Sequence, residues 1–441
     1  MASMARTLPD WLAFIERQHP SAIALGLDRV REVSLRMGLR RPAPRVVTVA
    51  GTNGKGSTVA FIEAIARAAG FRTGAYTSPH LVAYNERIRI DGDDAGDAEL
   101  VAAFQAVDAA RGDTSLTYFE YGTLAALWLF SRARLDLAIL EVGLGGRLDA
   151  VNLVDADVSV ITTVDLDHQD WLGADREAIG LEKAGVARAG RPLVLGEDDP
   201  PASVLRHAYR IGAPAIRAGS DYLVERRADG WRWREPGFEV DLPMPRLAAP
   251  VQLRNAAAAI AALRALDLEI PRQAWGEGVS DARVAGRLQR FMRDGIEVLV
   301  DVGHNPQAAR ALSDALRALP VAGRTHVVYA ALADKDAVGV VSALAGQVDG
   351  WHLAGLEHAG ARGTSVDGLA DKLAGTAAAS GARHATVAEA MSAALPQLRV
   401  GDRLLVFGSF HTAAEALGVL AADPGAPREA IGSSVDPGGG V

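Results

Sequence analysis

Val47-Thr48-Val49-Ala50-Gly51-Thr52-Asn53-Gly54-Lys55-Gly56-Ser57-Thr58 reads as a strand, a glycine-rich turn and the start of a helix beginning near Thr58. In that order glycines let backbone N–H groups converge on phosphate oxygens, the helix N-terminus adds a favourable dipole, and a lysine supplies a point charge for the outer phosphates. Asn53, Gly54 and Lys55 would do most of the cradling. The run departs from the generic phosphate-loop pattern: Val49 stands where the first glycine belongs, and Gly56 separates Lys55 from the hydroxyl of Ser57. The competing reading is a glycine-rich strand-to-helix turn with no ligand. A lysine and two hydroxyls at useful positions favour phosphate.

Working outward, short apolar runs recur between alanine-rich helical patterns: Val46–Ala50, Leu137–Val142, Val158–Val164 and Leu193–Leu195, then Val298–Val302, His326–Ala330 and Leu404–Phe407. Strands alternating with helices predict parallel sheets, and near-continuous apolarity predicts helices on both faces. The expected class is α/β, with two three-layer domains. Tyr222 to Pro250, with Trp231-Arg232-Trp233 and several prolines, predicts a small antiparallel insertion, followed by a helix from Asn255 to Leu266. The glycines of the segment Gly276 to Gly286 mark it as the linker. The domains expected are therefore 1–285 and 286–423, with a Gly/Pro/Ser-rich tail over 424–441 that has little to bury and is expected to be disordered.

A chain of 441 residues is long enough for two cores. Its formal net charge of −8 offers no global field for a nucleic acid backbone or an anionic membrane. The absence of cysteine excludes disulfides, thiolate metal sites and a cysteine nucleophile. The opening residues, Met1 to Pro20, carry Asp10, Glu16, Arg17 and His19 and predict an amphipathic helix rather than a secretion signal, and Ala256–Leu263 is too short to span a bilayer. A cytoplasmic protein is expected.

Other strand ends carry polar groups. Ser78, in Thr77-Ser78-Pro79-His80-Leu81, is either a hard-oxygen metal ligand or part of an ordinary Ser-Pro turn, and Asn85-Glu86-Arg87 follows closely. Glu141 ends the apolar strand of Glu141-Val142-Gly143-Leu144-Gly145-Gly146-Arg147-Leu148-Asp149. An ionised carboxylate there is costly without compensation, so it is a metal ligand or a helix N-terminal contact. His168, in Leu166-Asp167-His168-Gln169-Asp170-Trp171-Leu172-Gly173, closes a third strand expected to face the same crevice as Lys55 and Glu141. By residue chemistry alone Lys183 is a solvated or salt-bridged lysine, and Phe119 is either a core aromatic or a stacking platform for a flat heterocycle.

Taken with Asp301-Val302-Gly303-His304-Asn305-Pro306, these motifs resemble the folylpolyglutamate synthase branch of the Mur ligase superfamily. The likeness runs from Leu25-Gly26-Leu27-Asp28-Arg29-Val30 to Gly408-Ser409-Phe410-His411-Thr412, and Leu116-Thr117-Tyr118-Phe119-Glu120-Tyr121-Gly122-Thr123 makes it nearest the bifunctional bacterial form. The resemblance implies a P-loop ATPase-like N-terminal domain with a mostly parallel sheet and a smaller Rossmann-like ligase domain. It implies ATP on Thr52, Asn53, Gly54, Lys55, Gly56 and Ser57, with Asn255 at the adenine region, Arg287 at a phosphate and Asp301 at the ribose. Two Mg2+ ions are implied on Ser78, Glu141 and His168, joined by Lys183 as its CO2-derived carbamate; a monovalent cation belongs to the same expectation. His304 would reach either the phosphate or the incoming amino acid and, with Lys55 and Lys183, completes the catalytic set. Pterin-binding elements are implied at Ala24, Leu25, Gly26 and Leu27, at Thr117, Tyr118, Phe119 and Glu120, and at Leu148, Asp149 and Ala150. Gly303 and Gln169 depart from the family's usual Ala and Thr.

The activity so implied is ATP-dependent ligation of L-glutamate to dihydropteroate and to folates through an acyl phosphate, by a monomer with ATP shared across an interdomain cleft. Rivals are a monofunctional member of the pair, a Mur-type ligase of a peptidoglycan precursor, against which Thr117–Glu120 argues, and a nucleotide switch that ligates nothing. The last would need neither the metal cluster nor second-domain ligands.

Overall fold

The structure is a computed structural model and describes residues 6–19 and 24–422; the tail expected over 424–441 lies outside them. The apolar runs of the sequence become strands β1 (Arg45–Ala50), β2 (Thr73–Tyr76), β3 (Ile88–Ile90), β4 (Asp93–Asp94), β5 (Leu137–Glu141), β6 (Val158–Ile161), β7 (Leu193–Leu195) and β8 (Ala215–Arg217). They form an eight-stranded sheet in the order β4-β3-β2-β5-β1-β6-β7-β8. All neighbours are parallel except β2–β3 and β3–β4. Every residue of β2, β5 and β6 is buried, as sheet faces covered by helices require.

β9 (Leu223–Arg227), β10 (Gly230–Glu235) and β11 (Phe238–Leu242) make the expected antiparallel insertion. Trp231 and Trp233 alternate with Arg232 and Arg234, so period-2 geometry sends both indoles inward. Each indole N–H finds a carbonyl: Pro243 O at 2.9 Å and Ala257 O at 3.1 Å. The second sheet comprises β12 (Gln289–Arg293), β13 (Ile296–Asp301), β14 (Thr325–Tyr329), β15 (Gly350–Ala354), β16 (Ala382–His384) and β17 (Arg403–Phe407), ordered β12-β13-β17-β14-β15-β16, with only β12 antiparallel. Inside it the buried Arg403 guanidinium pairs with buried Glu297.

Two compact units result, one of residues 1–245 and 253–283, the other of 246–252 and 284–441. Among the described residues no helix is long and apolar enough to cross a membrane. The opening segment forms a helix over Leu8–Glu16 that buries Leu8, Trp11 and Ile15.

Three expected boundaries move. The helix after the phosphate loop begins at Lys55 rather than near Thr58, because Gly54 adopts φ +88° as its N-cap. The helix expected from Asn255 runs Val251–Ala265. The supposed linker is half helix: Arg272–Asp281 is helical and contains Gly276 and Gly278, leaving only 282–288 as connection. Gly278 is there for packing. A Cβ on it would stand 2.3 Å from the Cα of Ile65, so the helices Lys55–Ala68 and Arg272–Asp281 approach backbone to backbone.

Two outcomes concern stability. Gly278→Ala should lower the thermal midpoint, since overpacking against backbone costs about 1–3 kcal/mol and exceeds the helical gain of about 1. Gly276→Ala, whose nearest neighbour would be Pro243 Cδ at 3.4 Å, should leave the midpoint unchanged or raise it. The second concerns three histidines on paired strands of the second sheet. The rings of His326 and His352 lie 5.9 Å apart and those of His352 and His384 5.5 Å, with Nδ1 of His352 3.3 Å from Nε2 of His384. Burial, then the neighbouring histidines, pushes His352 down to about 4. His326, whose ring nitrogens have no hydrogen-bond partner, is lowered by burial and Arg324, against Asp402 and Asp349. A depressed histidine favours the native state only while neutral. Stability should therefore hold above the ordinary histidine value of about 6.5, fall as pH drops toward about 4, and level off below. Thermal melts of the full chain between pH 7.5 and 4 measure this, and His352→Gln should flatten the slope.

Candidate functional site

β5, β1 and β6 are parallel neighbours, so their carboxyl ends lie side by side and the loops leaving them carry most of the expected ligands. On β1 the glycine-rich turn is built against the end of β6. Gly51 takes φ +149°, and a Cβ there would sit 1.9 Å from the hydroxyl of Thr162. That hydroxyl donates to Asn53 O at 2.6 Å, Thr52 N–H donates to Thr163 O at 2.8 Å, and Asn53 N–H donates to the Thr163 hydroxyl at 3.2 Å. Thr52 ties its own hydroxyl to the backbone of Asp165 in both directions. Thr162, Thr163 and Asp165 thus shape the loop without belonging to its motif.

Lys55 is the first helical residue, and its ammonium donates to Gly51 O at 3.1 Å and Thr52 O at 3.2 Å. Gly56 and Ser57 fill the same first turn, whose backbone N–H groups have no partners within the helix. These donors and the helix dipole suit an anion. Asn255, expected at the adenine region, has its amide against this loop: a Cβ on Gly54 would lie 2.5 Å from Asn255 Oδ1.

At the end of β5, buried Glu141 accepts the backbone N–H of Ser78 at 3.0 Å, bringing the Ser-Pro turn to the strand tip. His168 follows β6 in the left-handed region at φ +51°, its N–H bonded to Asp167 Oδ1 at 2.9 Å. Lys183 is buried in the last turn of the helix Arg176–Ala184. Burial first, and the ammonium of Lys55 second, bring it down to about 7, against Asp167 and Asp149. Among the described residues no group of three or more His, Asp and Glu side chains is arranged to hold a metal. The expected set has another composition, with one Glu, one His, a serine oxygen and a lysine. Those donors fit a hard divalent cation once Lys183 carries an anionic oxygen.

The three elements expected at the pterin meet. Gly26 N–H donates to Leu148 O at 3.3 Å, and Arg29 joins Ala24 O at 2.8 Å to Glu120 at 2.9 Å. Leu25 and Leu27 flank Gly26, with Leu27 buried. Half-buried Phe119 has its ring 5.7 Å from that of Tyr76, over Gly143, where a Cβ would stand 2.7 Å from it. It is therefore neither a sealed core residue nor a free one. Tyr118 faces Tyr84, ring to ring at 5.8 Å. Two carboxylates are already employed. Glu120 accepts Thr117 N–H at 2.8 Å in a capping box as well as Arg29, and Asp149 accepts Leu144 N–H at 2.8 Å and Val151 N–H at 3.0 Å. Burial pushes Asp149 up to about 7 despite those donors. Both order the loops; Ala150, just after Asp149, is buried.

In the second unit, Asp301 ends β13 and accepts N–H groups from Leu288 at 2.7 Å and Gly303 at 2.6 Å. Burial raises it, with Arg287 opposing. Arg287 lies over the ring of Phe410 at 5.4 Å, and His304, bonded through Nδ1 to Val302 O at 3.0 Å, faces the same ring at 6.4 Å. Phe410 thus organises a cluster that sequence reasoning had quoted only as part of a motif.

Known proteins share this chain's sequence and fold. Residues 49–263 match the Mur ligase middle domain and residues 286–410 the Mur ligase glutamate ligase domain. The dihydrofolate synthase/folylpolyglutamate synthase of Escherichia coli is 45% identical over 94% of this chain and 96% of its own. E. coli FolC in complex with DHPP and ADP superposes with a TM-score of 0.90 at 44% identity, covering 96% of this chain and 99% of that one. A bifunctional folylpolyglutamate synthase/dihydrofolate synthase with Mn, AMPPNP and L-glutamate bound gives 0.88 at 43% identity, covering 96% of this chain and all of that one. The chain belongs to the bifunctional dihydrofolate synthase/folylpolyglutamate synthase family of the Mur ligase superfamily.

Proposed function

We propose the following division of labour for this family's reaction, the ATP-dependent ligation of L-glutamate to dihydropteroate and to the γ-carboxylate of folates. The observation that carries it is the gathering of the phosphate loop after β1 and the Glu141–Ser78 pair at the end of neighbouring β5, with buried Lys183 close enough to feel the charge of Lys55. A carboxylate does not acylate an amine unaided, so the γ-phosphoryl group of ATP passes to it, giving an acyl phosphate and ADP. The glutamate amine then attacks the acyl carbon and phosphate leaves.

Positioning and charge neutralisation are what such a transfer demands. Thr52 to Ser57 hold the triphosphate, Lys55 turns its ammonium to the outer phosphates, and Asn255 steadies Gly54 from above. Arg287, Asp301 and His304 contribute the second unit's contacts to nucleotide and amino acid, residues 286–423 forming the glutamate ligase domain and 1–285 the nucleotide and pterin domain. Ser78, Glu141, His168 and carbamylated Lys183 hold Mg2+; when bound, the metal supplies positive charge to the transferring phosphoryl group. The Mn-containing relative supports a divalent cation. Phe119 and the 24–27 and 148–150 loops receive the pterin. One copy of the chain, in the cytoplasm and acting only on small molecules, suffices.

Carbamylation requires a neutral amine, and a lysine held near 7 supplies it at neutral pH. Two outcomes test the scheme. Lys55→Ala should abolish phosphate release with dihydropteroate and glutamate while leaving the melting curve intact; retained turnover refutes the loop assignment. Wild-type enzyme in 13C-bicarbonate should show a carbamate carbonyl resonance that Lys183→Arg lacks, and the variant should lose about 100-fold or more in kcat, as expected when a metal ligand is replaced by a cation. A missing resonance in the wild type rules the carbamate out.

A further inference from the structure

Arg87 ends the 3-10 turn Tyr84–Arg87 and is only 8% exposed. Its Nε donates to His80 Nδ1 at 2.8 Å, and its guanidinium lies over the rings of Tyr84 at 5.2 Å and Tyr118 at 5.4 Å. Among the described residues no carboxylate pairs with it, and its two terminal nitrogens have no acceptor, yet neither is sealed from solvent. The other guanidiniums nearby are neutralised: Arg89 pairs with Glu63 at 2.7 Å and Arg29 with Glu120 at 2.9 Å. A buried charge left without a counter-ion is costly, and two open N–H edges of a planar fork match a carboxylate. The missing partner is therefore an anion that comes with a ligand.

Location narrows the choice. The sheet order β3-β2-β5-β1 sets the strand following Arg87 three spacings from the phosphate loop, about 14 Å at ~4.8 Å per strand, so the triphosphate is the wrong anion. Tyr118 opens the segment proposed to receive the pterin, and His80 lies two residues beyond Ser78, which touches Glu141. Arg87 thus stands between the pterin end and the activation end. Dihydropteroate has a single carboxylate, and that one must meet the γ-phosphate. A folate acceptor carries a second, the α-carboxylate of its glutamyl group, which stays ionised throughout.

We propose that Arg87 binds this α-carboxylate and so favours glutamyl-bearing acceptors over dihydropteroate. The inference rests on the ligase reading above. Steady-state rates of the full-length chain with dihydropteroate and with tetrahydrofolate monoglutamate test it, the dihydropteroate rate of the wild type checking the underlying reading by itself. Arg87→Gln should lower the ratio of kcat/KM for folate over dihydropteroate at least tenfold, mainly through the folate KM, as expected for loss of a charge-assisted pair. An unchanged ratio, or a change confined to the KM for glutamate, overturns the proposal. A substrate-side arm does not depend on how the variant folds: pteroyl-γ-aminobutyrate keeps the reacting carboxylate and lacks the α-carboxylate. Wild-type enzyme should bind it at least tenfold more weakly than pteroylglutamate, and equal KM values overturn the assignment.

Discussion

Buried Lys183 lies within electrostatic reach of the partly exposed Lys55, and burial, then that neighbouring ammonium, bring it down to about 7. Lys55 is held over the glycine-rich turn by the carbonyls of Gly51 and Thr52, and its charge adds to burial in discouraging a second cation at Lys183. Burial and that repulsion together separate the two amines, and the proposed scheme gives Lys55 the phosphate. The other, brought down to about 7, is the amine that the proposed scheme offers to carbon dioxide. The two lysines differ in setting: one sits on a turn rich in carbonyls, the other is buried in the last turn of a helix within reach of Asp167 and Asp149.

Such an arrangement works only if the turn does not wander, and its rigidity comes from outside the motif. Thr162 and Thr163 at the end of β6 bind the backbone of Thr52 and Asn53 from one side, while Asn255 closes over Gly54 from another. The glycines permit both approaches, since a methyl group at Gly51 or Gly54 would collide with the very atoms that hold the loop. Preorganisation of this kind lets binding free energy act on the reacting groups rather than on ordering the loop.

Much of this was legible in the residues themselves. Continuous apolar runs announced parallel strands, and polar residues at their ends, Glu141 and the Asp165–Gly173 stretch, drew attention to the strand tips. What escaped did so for physical reasons. Gly276 and Gly278 read as a linker because composition does not distinguish a glycine that frees the chain from one that admits a neighbouring backbone. Glu120 and Asp149 also serve an N-cap and loop amides, a use that leaves no mark in the sequence beyond a short local spacing. Arg87 enters the sequence reading only as the end of Asn85-Glu86-Arg87; the lack of a carboxylate partner among the described residues is visible only in three dimensions. The edge strands β4 and β12 were missed although Asp91-Gly92 and Asp294-Gly295, all with positive φ, are strong signals for tight two-residue hairpins.

Those two hairpins have a bearing on handling the protein. Each folds a short, polar strand back along the border of an otherwise parallel sheet, so that the rows of main-chain donors and acceptors on β2 and β13 are occupied before another molecule can reach them. A truncation or insertion that unzips either flap would uncover the unpaired, buried edge of β2 or β13. The damage would then show first as self-association and poor solubility in an otherwise well-folded catalyst.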